Sequence, residues 1–368
     1  MTFASITFSR RYFYLVLSLL ASYKATARDF PERKSDSQPI SAILVFGDST
    51  VDPGNNNYIN TLFKSNFSPY GKDFANHTST GRFTNGRLAN DFIAKYIGLK
   101  EYVPPYLDPN LSIEELMTGV SFASAGSGYD PLTPVISSVI SFSEQLEHFK
   151  SYRAKLETAL GKDRTMEIVK NALFLVSAGT NDFVVNYFSV PIRRNNYTIS
   201  KYTSFVLQEA RQVLQGLVDQ GATRIGVVGL PPMGCLPIVI TLFSEDPIAN
   251  RECITKFSSI ARDYNSMLQN ELNDMQKKLQ PSGSRIAYVD IFGPLEEMTL
   301  GNKYDFEEVR KGCCGTGLLE ASYMCNSKSL VCEDVNEYVF WDAIHPTEKT
   351  YFLLFQEFRP LIDSLVKE

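Results

Sequence analysis

Histidine is the scarcest of the chemically useful residues in this chain, with three in 368 positions: His77, His148 and His345. A two-metal site needs several imidazoles and carboxylates together, so a metal-dependent phosphoesterase has little to build on, even though Gly47-Asp48-Ser49-Thr50-Val51-Asp52 superficially resembles an acidic metal-binding turn. No CxxC pair occurs, and a structural zinc site lacks its usual ligand spacing. The Gly-x-Ser-x-Gly strand-to-helix elbow is missing as well, which argues against the usual arrangement built around it. Long runs of one charge are absent, and 36 basic against 41 acidic residues leave a net charge of -5. That balance argues against nucleic acid or an anionic membrane surface as the main partner. There is no internal repeat and no low-complexity segment.

What is present begins at the N-terminus. Arg10 and Arg11 precede an apolar stretch from Tyr12 to Ala21, and Ala25-Thr26-Ala27 follows. Basic, apolar and small-residue regions in that order read as a signal peptide over residues 1–27. The stretch is shorter than the roughly 20 apolar residues a spanning helix requires, and no later one is long enough, so the expectation is a secreted, extracellular protein with no transmembrane segment. Sequons at Asn66, Asn76, Asn110 and Asn196 offer glycan sites on a eukaryotic secretory route. Cys235, Cys253, Cys313, Cys314, Cys325 and Cys332 are even in number, enough for three bridges in an oxidising compartment. Cys235 with Cys253 is the expected pair because the two flank one loop; the pairing of the other four stays open.

Residues 28–40 read as a polar leader, and 44% hydrophobic content over the whole chain supports one large core, read as a single domain over 41–368. Short apolar runs recur at Ala42 to Phe46, Ala172 to Val176, Arg224 to Val228 and Arg285 to Ile291. They do not alternate cleanly, as expected of strands buried on both faces. Helical spacing lies between them, in Phe142/Leu146/Phe149/Leu156/Leu160, in Val206/Ala210/Val213/Leu217 and in Ile260/Tyr264/Met267/Leu268. A last helix starts after His345, with Pro346 in its first turn. Strands alternating with helices predict an α/β fold with a parallel sheet, and ligands in such sheets sit beyond the carboxyl ends of the strands. The stretch from Val51 to Asn90 is expected to be a loop-rich wall of that crevice.

Those strand ends carry the chemistry. His77 lies in a polar sequon and His148 on the polar side of its helix, both read as solvated. His345 remains, in Asp342-Ala343-Ile344-His345. A carboxylate three residues ahead can accept the imidazole Nδ1–H, fixing the tautomer and stabilising the imidazolium. The plainer alternative is that Asp342 caps the helix. Ser49 follows the first strand at Gly47-Asp48-Ser49 and meets the positional demand on a nucleophile. It too has a plain reading as a helix cap. The N–H groups of Ser49 and Gly126 and the side-chain amide of Asn181 are expected donors to an oxyanion, where removal of one donor typically costs about 100- to 1000-fold in turnover. With an imidazole base, hydrolysis is expected to decline below about pH 6.5.

In combination, Phe46-Gly47-Asp48-Ser49, the Gly126 block, Gly179-Thr180-Asn181-Asp182 and Asp342-x-x-His345 resemble the GDSL, or SGNH, hydrolase family. Thr80-Gly81-Arg82-Phe83-Thr84-Asn85-Gly86-Arg87, Pro231-Pro232-Met233-Gly234-Cys235 and Cys313-Cys314-Gly315-Thr316-Gly317 are similar to its plant secreted branch. The resemblance spans roughly residues 41 to 360. It implies a flavodoxin-like three-layer α/β/α fold and esterase or lipase activity on lipid or other acylated substrates, with no cofactor. It also implies Ser49 as nucleophile, Asp342 and His345 as its partners, and Ser49, Gly126 and Asn181 as oxyanion donors. One departure stands at Ser121, where the family often has Asn. An acyltransferase using the same acyl-enzyme is the alternative activity, and a non-catalytic binding or defence protein is a more distant one.

Overall fold

A computed structural model of the chain describes residues 40–300 and 303–366. The expected signal peptide, residues 1–27, and all but the last residue of the expected polar leader lie outside the described residues; that last residue, Ile40, is buried in the core.

Four strands form one parallel sheet: β1 (Ile43–Gly47), β2 (Leu173–Ser177), β3 (Arg224–Val228) and β4 (Arg285–Val289), in spatial order β1-β2-β3-β4. All are parallel, with Val45 opposite Leu175 and Val227 opposite Tyr288. The segment 118–124 runs beside the free edge of β1. Val45 N–H donates to Val120 O at 3.1 Å, and Phe122 N–H to Val45 O at 2.7 Å, with one parallel bridge between Val45 and Ser121. Counting that segment as a rudimentary strand, the order is 2-1-3-4-5. This is the flavodoxin-like winding, whose switch point lies between the first and third strands. In this chain those are β1 and β2.

Among the described residues, seven α-helices of eight or more residues cover the sheet: α1 (Ala89–Tyr96), α2 (Phe142–Leu160), α3 (Lys162–Lys170), α4 (Ile199–Asp219), α5 (Thr255–Leu279), α6 (Phe292–Leu300) and α7 (Glu348–Val366). Alternation along β2 separates the two faces. Phe174 meets Phe149 of α2 edge-on at 5.6 Å, whereas the next residue, Leu175, lies with Leu365 of α7 around Gly226. Both faces are covered, so β1 and β2 are buried throughout, which explains their unbroken apolar runs. Thr347, not Pro346, leads into α7, its Oγ1 accepting from Thr350 N–H at 3.3 Å.

The loop-rich wall is held by buried ions. Arg82 forms a two-pronged pair with Asp91, both contacts at 2.8 Å, and Asp91 also accepts from Leu88 and Val103 N–H. A short parallel pair, β5 (Glu308–Gly312) and β6 (Tyr338–Phe340), stands apart from the main sheet. Cys235 pairs with Cys253 as expected, and the remaining four nest as Cys313–Cys332 and Cys314–Cys325. Asn66, Asn76, Asn110 and Asn196 are all exposed. Among the described residues no helix is long and apolar enough to cross a membrane.

Candidate active site

Ser49 stands just past β1, and its position is fixed by backbone that only glycine permits. Gly47 has φ +145°, and a Cβ there would lie 2.0 Å from Ser177 O of β2, so any other residue would push the two strand ends apart. Gln145 of α2 clamps the Gly47 peptide from both sides, Oε1 accepting its N–H and Nε2 donating to its C=O, each at 2.9 Å. The next residue, Asp48, donates its N–H to Ser177 O at 3.0 Å. Its side chain accepts from Thr50 N–H and Oγ1–H. Burial pushes the Asp48 carboxyl up to about 6 despite those donors.

Ser49 Oγ lies 2.7 Å from His345 Nε2, although 296 residues separate the two in sequence. His345 Nδ1 faces Asp342 at 2.9 Å from Oδ1 and 2.8 Å from Oδ2. The same Oδ1 accepts the backbone N–H of Ile344 and of His345, so Asp342 both caps the turn and meets the ring. The alternatives posed by the sequence are therefore one arrangement. Phe83 packs on the imidazole, with ring centroids 4.9 Å apart. All three residues are buried, which strengthens each polar contact relative to water.

The structure brings Asn181 and the Gly126 block together. Asn181 Nδ2 donates one N–H to Ser127 O at 2.9 Å, and an amide carries two. The other is free to serve the apolar cavity that Asn181 and Ser49 both line. Gly126 is not in that wall, but its neighbour Ala125 is held on both sides, its C=O by Asn56 Nδ2 and its N–H by Asp52. Among the described residues neither the Ser49 nor the Gly126 N–H meets an acceptor. Ser121, the family departure, has its hydroxyl donating to Val51 O at 2.9 Å.

Behind Asn181, Asp182 opens a π-helical stretch, Asp182–Ser189, and ties it to the Gly126 block. Its carboxyl accepts from Tyr129 N–H, Asp130 N–H and Thr133 Oγ1–H. Gly128 must lack a side chain here, since a Cβ would sit 2.2 Å from Asp182 Oδ1. Burial, opposed by the Thr133 and Tyr129 donors, pushes the Asp182 carboxyl up from 3.8 to about 7. The folded state therefore holds this proton more tightly than the unfolded state. The associated stability is fully present below about pH 3.8 and is lost as pH rises through about 7. Thermal melts of wild type and Asp182→Asn across pH 5 to 8 are expected to show the wild type's relative midpoint falling with pH. A difference that stays constant over that range would contradict the assignment.

His77 is exposed, as expected. His148 is not solvated: it is half-buried, meeting Tyr106 edge-on at 5.6 Å, and that burial holds its imidazole below the usual range. Tyr106 reaches it because its N–H donates to Ser121 O on the rudimentary strand, a contact no local pattern predicts. Among the described residues no group of three His, Cys, Asp or Glu side chains is placed to hold a metal ion. The sequence reading missed Gln145, Asp52, Asn56 and Tyr70, all polar residues without a catalytic spacing.

Next to Ser49 lies the cavity of about 90 Å³, walled by apolar side chains including Val51, Leu236, Leu295, Leu354 and Phe358. Its wall includes Ser49, Ala178 and Gly229, which stand just past the ends of β1, β2 and β3.

The GDSL-like lipase/acylhydrolase family pattern matches residues 43–358. The chain is 58% identical over 341 residues to the GDSL esterase/lipase At5g45960 of Arabidopsis thaliana, covering 92% of this chain and 90% of that protein. It is 46% identical over 314 residues to the GDSL esterase/lipase At1g06990 of the same plant, covering 85% and 86%. Among solved structures, the lipase Lip_vut3 from a goat rumen metagenome aligns over 87% of this chain and 96% of its own, at 11% identity and a TM-score of 0.36.

Proposed function

The chain belongs to the GDSL-like lipase/acylhydrolase family, and from that premise we propose that it is a secreted carboxylic ester hydrolase working through an acyl-enzyme on Ser49. The observation that carries the mechanism is the 2.7 Å contact between Ser49 Oγ and His345 Nε2, with Asp342 on the far side of the ring.

Ser49 Oγ attacks the ester carbonyl carbon as its proton passes to His345 Nε2. The carbonyl oxygen, now an anion, is met by the N–H groups of Ser49 and Gly126 and by the Asn181 amide. Collapse of this intermediate breaks the ester C–O bond, and the alcohol leaves with the proton from Nε2. Water then attacks the acyl-enzyme, giving its proton to His345. Breakdown frees the acid and returns the proton to Ser49. Asp342 stays ionised and stabilises the imidazolium in both halves. Purified protein given p-nitrophenyl acetate should release a burst of nitrophenol equal to the enzyme concentration wherever deacylation is slow, with acetyl on Ser49 in the quenched chain. Acetyl on any other residue at that stoichiometry would defeat the proposal.

The apolar cavity fits the acyl part of the substrate, because transfer of methylene groups from water to such walls is favourable. Ala89, half-buried at the start of α1, also lines it. Ala89→Leu narrows the cavity and is expected to lower the ratio of kcat/KM for hexanoyl over acetyl esters by about 10-fold. An unchanged ratio would move the acyl group elsewhere.

Secretion is supported by the pairing of all six cysteines and by the exposure of the four sequons, both suited to an oxidising, glycosylating route. Intact-mass analysis of the chain recovered from the medium of a eukaryotic host, before and after glycosidase, tests it. A chain retained in the cell with residues 1–27 uncut would contradict it.

A further inference from the structure

Tyr70 is one of the most buried polar residues of the chain, 1% exposed, and the ester-cleaving steps above make no use of it. Its hydroxyl donates to Asp342 Oδ2 at 2.7 Å across 272 residues of sequence. The Tyr70 hydroxyl oxygen in turn accepts the N–H of Ser322 at 2.8 Å. Each partner leaves the phenol one role. Ser322 N–H can only donate to it, so its proton is directed at the carboxylate. The ring is held by edge contacts with Phe67, Phe83 and Trp341, and Phe83 also packs on His345. Ser322 is itself anchored: its Oγ reaches the carbonyls of Leu62 and Lys64, and it lies within the loop closed by Cys314–Cys325. Without Tyr70, Oδ2 would keep only His345 Nδ1 as a partner, and the carboxylate would be oriented from the Oδ1 side alone, by the Ile344 and His345 N–H groups.

We propose that Tyr70 is a positioning residue for ester hydrolysis, its hydroxyl holding Asp342 Oδ2 so that the carboxylate faces His345 Nδ1 with its charge partly shared. The proposal rests on the Ser49–His345–Asp342 reading. Burial and the Asp342 charge both raise the phenol well above its usual range, so it remains a donor over the working pH.

Tyr70→Phe in the full chain keeps the ring and removes one donor to a charged acceptor. Such a bond is worth enough to expect kcat for p-nitrophenyl acetate to fall about 10-fold, with KM within about twofold. A carboxylate without this donor stabilises the imidazolium more strongly. The acid side of the kcat/KM profile is therefore expected to move up by about half a pH unit. Site-specific 3-fluorotyrosine at position 70, a stronger donor in nearly the same volume, moves it down. A folded Tyr70→Phe enzyme with kcat within twofold and an unmoved profile overturns the proposal. If that variant does not fold, a fluorotyrosine enzyme with the wild-type profile overturns it. Asp342→Asn separates the two readings: loss of activity there, with no effect at position 70, removes Tyr70 alone, whereas full activity in Asp342→Asn removes the underlying reading.

Discussion

Replacing Ser49 with alanine is expected to lower kcat for simple esters by roughly a millionfold, the scale on which serine hydrolases lose turnover when the nucleophile is deleted. In the proposed mechanism the oxygen that forms the acyl bond is then gone. The proposed oxyanion donors and acyl cavity are untouched by the change, so some acceleration over water should remain, on the order of a thousandfold or more. The fold should barely notice. Ser49 Oγ has His345 Nε2 as its partner, so the substitution removes one hydrogen bond and leaves the surrounding packing in place. The thermal midpoint is expected to move by no more than a few degrees, the scale set by one hydrogen bond. Turnover of p-nitrophenyl acetate beside a melting curve reads both quantities. More than about 1% residual turnover in a folded variant would contradict the assignment, since a missing nucleophile costs far more than that.

Asp342→Asn is expected to lower kcat by about 10,000-fold. The carboxylate offers two acceptor oxygens, and the structure uses both: the N–H groups of Ile344 and His345 fall on Oδ1, the Tyr70 hydroxyl on Oδ2, and His345 Nδ1 faces the pair. An amide has one oxygen. With the backbone donors holding that oxygen, the NH₂ group takes the Oδ2 place and donates to Nδ1. The imidazole proton then sits on Nε2, aimed at Ser49, and the ring cannot receive the serine's proton. Turnover of both enzymes measured at the pH where the wild type is fastest isolates this effect from simple protonation. Activity within tenfold of wild type there would contradict the role given to Asp342.

The parts of this site that were legible in the sequence are those whose logic is local. Ile43 to Phe46 is a doubly buried strand followed at once by Gly47 and Ser49, and Asp342 lies three residues ahead of His345, close enough to bond it within one turn. The four strands followed from the same short-range spacing, with ends displaced by two residues at most, whereas the apolar positions marked the longer helices but not their ends, α4 and α5 running well past them. Other features depend on partners far away in the chain. Gln145 reads as one more polar position on α2 until the fold brings it to Gly47, 98 residues distant. Tyr70 reads as a loop aromatic until Asp342 arrives. The segment 118–124 has too few consecutive apolar residues to read as a strand, and the hydrogen bonds that straighten it come from β1 on one side and residues 104–106 on the other. The nested disulfides are a similar case. Adjacent residues in extended chain point to opposite sides, so Cys313 and Cys314 take different partners, but only the path of the loop decides which is which.

Labelling the purified chain with a fluorophosphonate, followed by peptide mass mapping, tests the central claim most directly. The expected result is one adduct per chain, on Ser49, with hydrolysis lost in proportion and labelling abolished in His345→Ala. Loss of hydrolysis with the adduct on a different residue, or full hydrolysis by a chain stoichiometrically labelled at Ser49, would contradict it.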